Sequence, residues 1–231
     1  MFDRIKKAFS KEGAAAPETA SPSSQLAGGP LSEWAATQGF AFSLVGSSTL
    51  QVEGKAAGKR WRMELGKPSR KFIRGEELRA RAELGIDEEV GVLVMNRPLK
   101  EALEKQAYAM YTDSLQTTAD PNLPEEMRWL AMYDEVGWDS VPRPFWQRYA
   151  VLSARREQAQ SWIDSQLATL LMDWPQAQTA QTPFILMLLR GKAYLRMECG
   201  AADLQAVQHA SFIFSHACES AVGAFGADIP L

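Results

Sequence analysis

Histidine and cysteine are scarce, at two residues each in a chain of 231. Cys199 and Cys218 stand in no CxxC or other metal-ligand spacing, so no zinc site is specified. Small buried thiols in a reducing compartment are the preferred reading over a disulfide between them. His209 and His216 fall on nearly one stripe of a single helix, and Cys218 falls on its opposite side. A His/His/Cys metal site on that helix is thereby excluded. With no other histidine in the chain, a Ser-His-Asp or Cys-His arrangement would have to recruit the same helix. No catalytic residue, metal or cofactor is assigned. Long apolar runs are absent too: "FILMLL" (184–189) is far shorter than the ~20 residues a transmembrane helix needs. The N-terminal "MFDRIKKAFS" has no apolar stretch of seven or more for a secretory signal, which predicts a cytoplasmic location.

Basic residues are missing where they would be ordinary and crowded elsewhere. Residues 12–54 carry four Glu and no Lys or Arg, whereas residues 55–81 carry ten Lys/Arg against three Glu. Residues 82–231 hold eleven bases against twenty acids, and the whole chain is −3. A basic island on an acidic body is the feature that calls for a partner. The sequence pI of about 5.6 argues against nucleic acid as that partner.

The first residues place Phe2, Ile5 and Phe9 at helical spacing among Arg4, Lys6 and Lys7. Residues 1–11 therefore read as a short amphipathic segment for weak peripheral membrane contact or a partner's groove. Residues 12–30, rich in Ala, Ser, Pro and Gly, read as a flexible linker.

Residues 31–120 read as a β-rich lobe: a short helix ending at Gly39, then period-two segments separated by turn residues. These are 40–46, 49–54, 59–66, 77–85 and 90–96. Trp61, Met63 and Leu65 alternate with Arg60, Arg62 and Glu64; Leu78, Ala80 and Ala82 alternate with Arg79, Arg81 and Glu83. That is the pattern of an antiparallel sheet with one solvated face. Pro98 opens a packing helix. Residues 121–231 read as a helix-rich α+β lobe that begins with a helix at Pro124. A strand at 144–153, a helix at 155–172, a hairpin turning at Arg190-Gly191 and a final helix over 202–224 follow. The fold class is α+β. The strand–helix–strand–strand–helix order, entered through Phe145, Tyr149, Val151 and Ser153, resembles a bacterial domain family of unknown function over residues 144–215. The resemblance implies an α+β fold and no catalytic residue.

Several motifs fail on inspection. "GKAAGKR" (54–60) has three residues between its glycines where a phosphate loop needs four, and Arg60 stands where a magnesium-binding Ser or Thr belongs. A hairpin turn is expected there. The carboxylates Glu125-Glu126 and Asp134-Glu135 are read as helix-start electrostatics and a solvated helix end. The seven tryptophans are expected to fill core.

The expectation for function is a non-catalytic interaction module. It presents Arg60, Arg62, Arg70, Arg74, Arg79 and Arg81 to an acidic protein partner or anionic ligand, with residues 1–11 as a tether. The alternative is an enzyme acting on a phosphate- or carboxylate-bearing small molecule in a cleft between the lobes, with Arg62 or Arg81 facing Asp134 or Glu135. A third reading docks the basic island on the acidic second lobe. Pairing Arg62 with Arg81 across two antiparallel strands predicts Glu64 opposite Arg79 and Arg60 opposite Glu83, leaving one arginine pair unneutralised.

Overall fold

A computed structural model describes residues 29–46, 49–113, 124–174, 181–200 and 203–226. The amphipathic segment 1–11, with Phe2, Ile5 and Phe9, lies outside the described residues, as does most of the linker 12–30.

Helix α1 (Pro30–Thr37) carries proline in its first turn, where the missing N–H costs nothing, and the chain turns out of it at Gly39 with φ +70°. Strands β1 (Ala41–Val45), β2 (Thr49–Ala56), β3 (Lys59–Gly66), β4 (Glu76–Glu83) and β5 (Gly91–Asn96) follow. Next come helices α2 (Arg97–Asp113) and α3 (Glu125–Met132), strand β6 (Asp134–Val136), helix α4 (Arg143–Arg148) and strand β7 (Tyr149–Ser153). Helices α5 (Arg156–Trp162) and α6 (Ser165–Met172), strands β8 (Phe184–Leu189) and β9 (Lys192–Cys199), and helix α7 (Leu204–Phe225) are the last of the described elements. The "GKAAGKR" stretch is the β2–β3 hairpin, turning at Ala57-Gly58, and Arg190-Gly191 turns β8 into β9.

Among the described residues, nine strands form one antiparallel sheet in the order β1-β2-β3-β4-β9-β8-β5-β7-β6, so the α+β class holds. Strands from 31–120 and 121–231 interleave in it: β9 pairs with β4, and β5 lies between β8 and β7.

The burial of each strand follows from what covers it. On one face, α1, α4, α5, α6 and α7 pack over the sheet in the main core around Trp61, Trp162, Phe145 and Phe214. On the other face, α2 and α3 cover only β5, β7 and β8, through Leu99, Leu103, Met127 and Trp129. Strands buried on both sides are therefore continuous apolar runs, "GVLVMN" and "FILMLL". Those with one bare face alternate, as "KAYLRMEC" does. The cross-strand neighbour of Trp61 is Gly54, and the indole lies across it: a Cβ added at Gly54 would come within 2.4 Å of Trp61 Cζ2. All seven tryptophans are buried or pack against the core.

Three local expectations need correction. Residues 144–153 are not one strand, because Pro144 cannot join a sheet ladder. Prolines at 142 and 144 instead open the short helix α4, and the strand begins at Tyr149. The helix expected over 155–172 is two, because the chain leaves helical geometry at Ile163. Asp164 then caps α6 by accepting from the Leu167 amide at 2.7 Å. Asp134-Glu135 is an edge strand rather than a helix end.

Candidate functional site

On the face left bare by α2 and α3, β2, β3, β4 and β9 present a lattice of charge. The register predicted from sequence holds: Arg62 stands opposite Arg81 and Glu64 opposite Arg79. The arginine pair is not left unneutralised, however. Glu64 takes Arg79 at 2.7 Å and, along its own strand, Arg62 at 3.1 Å. Glu83 takes Arg81 along β4 and Lys192 across to β9 at 3.1 Å. Hydrogen bonds from Arg81 and then Lys192 hold the Glu83 carboxyl below its usual range. A guanidinium two residues from a carboxylate on one face of a strand reaches it as readily as one directly across, and that offsets the like-charge row.

The six arginines named from sequence divide into two groups. Arg60, Arg62, Arg79 and Arg81 share the bare face; the side chains of Arg62 and Arg81 are 53% and 50% exposed. Arg60 makes no ion pair among the described residues. Arg70 and Arg74 belong to the 67–75 loop. The Arg70 guanidinium docks on the first turn of α3, 2.6 Å from Glu125 and 3.5 Å from Glu126. The Arg74 amide donates to Glu198 at 2.6 Å. Docking of the basic island on the acidic second segment is thus realised at Arg70.

Beneath that loop, Glu77 is buried with a side chain 0% exposed. It accepts from the Ser69 amide and from Arg196, each at 2.5 Å. Burial alone would raise the Glu77 carboxyl; hydrogen bonds from the Ser69 hydroxyl and amide and from Arg196 reverse this and hold it below the usual range.

A cleft of about 320 Å³ lies beside the bare face, between α3, the β8–β9 hairpin, the 67–75 loop and residues 88–90. Trp129, Met132, Met187 and Leu189 supply its apolar wall, and Arg70, Arg128, Arg190 and Arg196 border it. Arg70 and Arg196 are engaged as described. Arg128 has a buried Nε that meets no hydrogen-bond partner, and neither it nor Arg190 forms an ion pair among the described residues. Leaving such a donor unmet costs about 1–3 kcal/mol. Tyr133 lies across Gly91, where an added Cβ would come 2.7 Å from its hydroxyl oxygen. Burial pushes the Tyr133 phenol up, with the Arg190 charge working against it, so the hydroxyl stays neutral. Tyr194 joins the two regions: it lines the cleft, and Arg81 stacks over its ring at 5.9 Å.

The arrangement required for the enzyme reading is not formed. Glu135 is taken by Arg97 at 2.8 Å and Lys100 at 3.1 Å on β6. Strands β4 and β3 lie five and six places from β6 in the sheet, about 24–29 Å at the usual strand spacing.

The remaining sequence candidates have structural roles. His209 bonds the Leu170 carbonyl at 2.7 Å, and His216 lies 3.0 Å from Asp164, so both face α6 rather than solvent. Cys199 and Cys218 are free and buried, and burial pushes the Cys199 thiol up to about 12 and Cys218 higher still. Among the described residues, no three His, Cys, Asp or Glu side chains gather as a metal site. Among them, no helix is long and apolar enough to cross a membrane.

Sequence reasoning missed Arg128, Arg190, Arg196, Tyr133 and Tyr194. Only Arg196 and Tyr194 left a signal, as alternating polar positions of "KAYLRMEC".

The chain matches no known protein family and no curated protein. Among solved structures it is similar to the crystal structure of the mycobacterial trehalose monomycolate transport factor A, TtfA. The TM-score is 0.46 at 11% identity, covering 84% of this chain and 93% of that one, and no functional property is carried across.

Proposed function

We propose that this protein is a non-catalytic interaction module that presents the bare face of its sheet to an acidic protein partner. One observation carries the reading: a sheet covered on both faces at one end leaves Arg60, Arg62, Arg79 and Arg81 standing on an open face at the other. Exposed ion pairs contribute only about 0–1 kcal/mol, so stability does not account for this lattice. The same weakness makes it exchangeable, because a partner's carboxylates can replace Glu64 and Glu83 at small cost. Complementary charge at such a face steers encounter and fixes orientation. Residues 1–11, through Phe2, Ile5 and Phe9, would tether the module; the resemblance of residues 144–215 to an uncharacterised bacterial domain adds no activity to it.

The test is retention of the full chain on immobilised polyglutamate at low salt, with sedimentation on phosphatidylserine vesicles as a second arm. A protein of net charge −3 is held by polyglutamate only through a local basic face. Wild type should elute at higher salt than Arg62→Gln/Arg81→Gln. Identical elution of the two, or capture by vesicles and not by polyglutamate, would overturn the reading.

A further inference from the structure

Arg62 and Arg81 have glutamate partners; of the four arginines that border the cleft, Arg128 and Arg190 form no ion pair among the described residues. Arg128 comes from α3 and has a buried, unmatched Nε, and Arg190 comes from the β8–β9 turn; both border one concavity. Tyr133, whose hydroxyl makes no hydrogen bond among the described residues, borders the same space. Trp129, Met132, Met187 and Leu189 supply the apolar lining of the same cleft. Met132, at the end of α3, is 65% exposed. A volume of about 320 Å³ is at the small end of the range of ligand sites.

Charge decides the kind of ligand. Arg70 and Arg196 are neutralised by Glu125, Glu126 and Glu77, and Glu89 is drawn off by Arg155 at 3.0 Å. The named acids and bases in and around the cleft balance in number, but Arg128 and Arg190 are the two guanidiniums there that form no ion pair among the described residues. Two guanidiniums that hold no carboxylate fit a ligand that brings one, because the planar guanidinium fork matches a carboxylate.

We propose that this cleft binds a small organic monocarboxylate carried on an apolar body. Arg128, Arg190 and the Tyr133 hydroxyl hold the carboxylate, while Trp129, Met132, Met187 and Leu189 enclose the body. Binding here involves no reaction and does not depend on an acidic partner occupying the sheet face.

Isothermal titration of the full chain with octanoate, octanol, acetate and octyl phosphate tests the assignment. Octanoate should bind saturably at one site. Octanol, which lacks the charge, and acetate, which lacks the body, should each bind at least tenfold more weakly. Arg190→Gln, on an exposed turn that leaves the core untouched, should weaken octanoate several-fold. Arg128→Gln/Arg190→Gln should weaken it tenfold or more, and Arg143→Gln on α4 should not. Octanoate should also shift the methyl resonances of Met132 and Met187 in the wild type. Absence of saturable octanoate binding, octanol binding as tight as octanoate, tighter binding of octyl phosphate, or unchanged affinity in the double variant would each overturn the proposal.

Discussion

Glu77 is the residue whose loss the structure prices most clearly. Its carboxylate is out of contact with water, 2.5 Å from Arg196 and 2.5 Å from the Ser69 amide, so it ties β9 and the 67–75 loop to β4. Glu77→Gln keeps the shape but removes the charge and turns one oxygen into an amide that faces other donors. Removing one partner of a buried ion pair costs about 3–5 kcal/mol; Arg196, with a side chain 19% exposed, keeps some access to water and favours the lower end. Relief of the like-charged cross-strand neighbour Glu198 returns less than about 1 kcal/mol. The expected net loss is about 2–3 kcal/mol. The exposed pair removed by Arg81→Gln should cost less than about 1 kcal/mol. Urea denaturation at neutral pH measures both. The sign of the pH dependence follows from the lowered Glu77 value: its contribution is complete above the unfolded value of 4.5 and is lost as pH falls through the folded one. The gap between wild type and Glu77→Gln should therefore close below pH 4.5. A gap under about 0.5 kcal/mol at neutral pH, against the expected net loss of about 2–3 kcal/mol, would refute the reasoning. So would a gap that does not change with pH.

Gly54→Ala should lose about 1–3 kcal/mol or more, because the new methyl meets Trp61 at 2.4 Å and Phe40 at 2.9 Å in a packed core; a chemical denaturation curve unchanged from wild type would contradict the packing described. Burial lowers the His209 value, so its contribution is present above 6.5 and is lost as pH falls through the folded value. Thermal unfolding followed by circular dichroism should show stability falling below pH 6.5, more steeply in wild type than in His209→Gln.

Period-two alternation located β2, β3 and β4 closely because each has one bare face, the hairpin reading located β9, and the Arg62–Arg81 row, posited as a register, is the one formed. Helix α4 was missed because "PFWQRYAVLS" has the apolar content of a strand, and only Pro144 marks it as a helix start. The pairing of β9 with β4 leaves no trace in local periodicity, since any alternating strand offers an acceptable edge. That one gap hid the cleft: without β9 beside β4, Arg196 and Tyr194 have no neighbours, and Arg128 and Arg190 are lone charges in different elements. The basic island was visible as charge density, but the partners that quiet it were not, because Glu64 and Glu83 act through reach along a strand as well as across.

The insertion of β9 between β4 and β8 also bears on how the chain comes off the ribosome. Residue 76 pairs with residue 199, so the ladder β1–β4 has to wait, its last strand unpaired, while everything up to β9 is synthesised. During that interval β4 offers a row of free backbone donors and acceptors, flanked by the apolar side chains of Leu78, Ala80 and Ala82. Such an edge invites pairing with another nascent chain. The arginines of β3 and β4, exposed before any partner is met, then act as charged guards against that association.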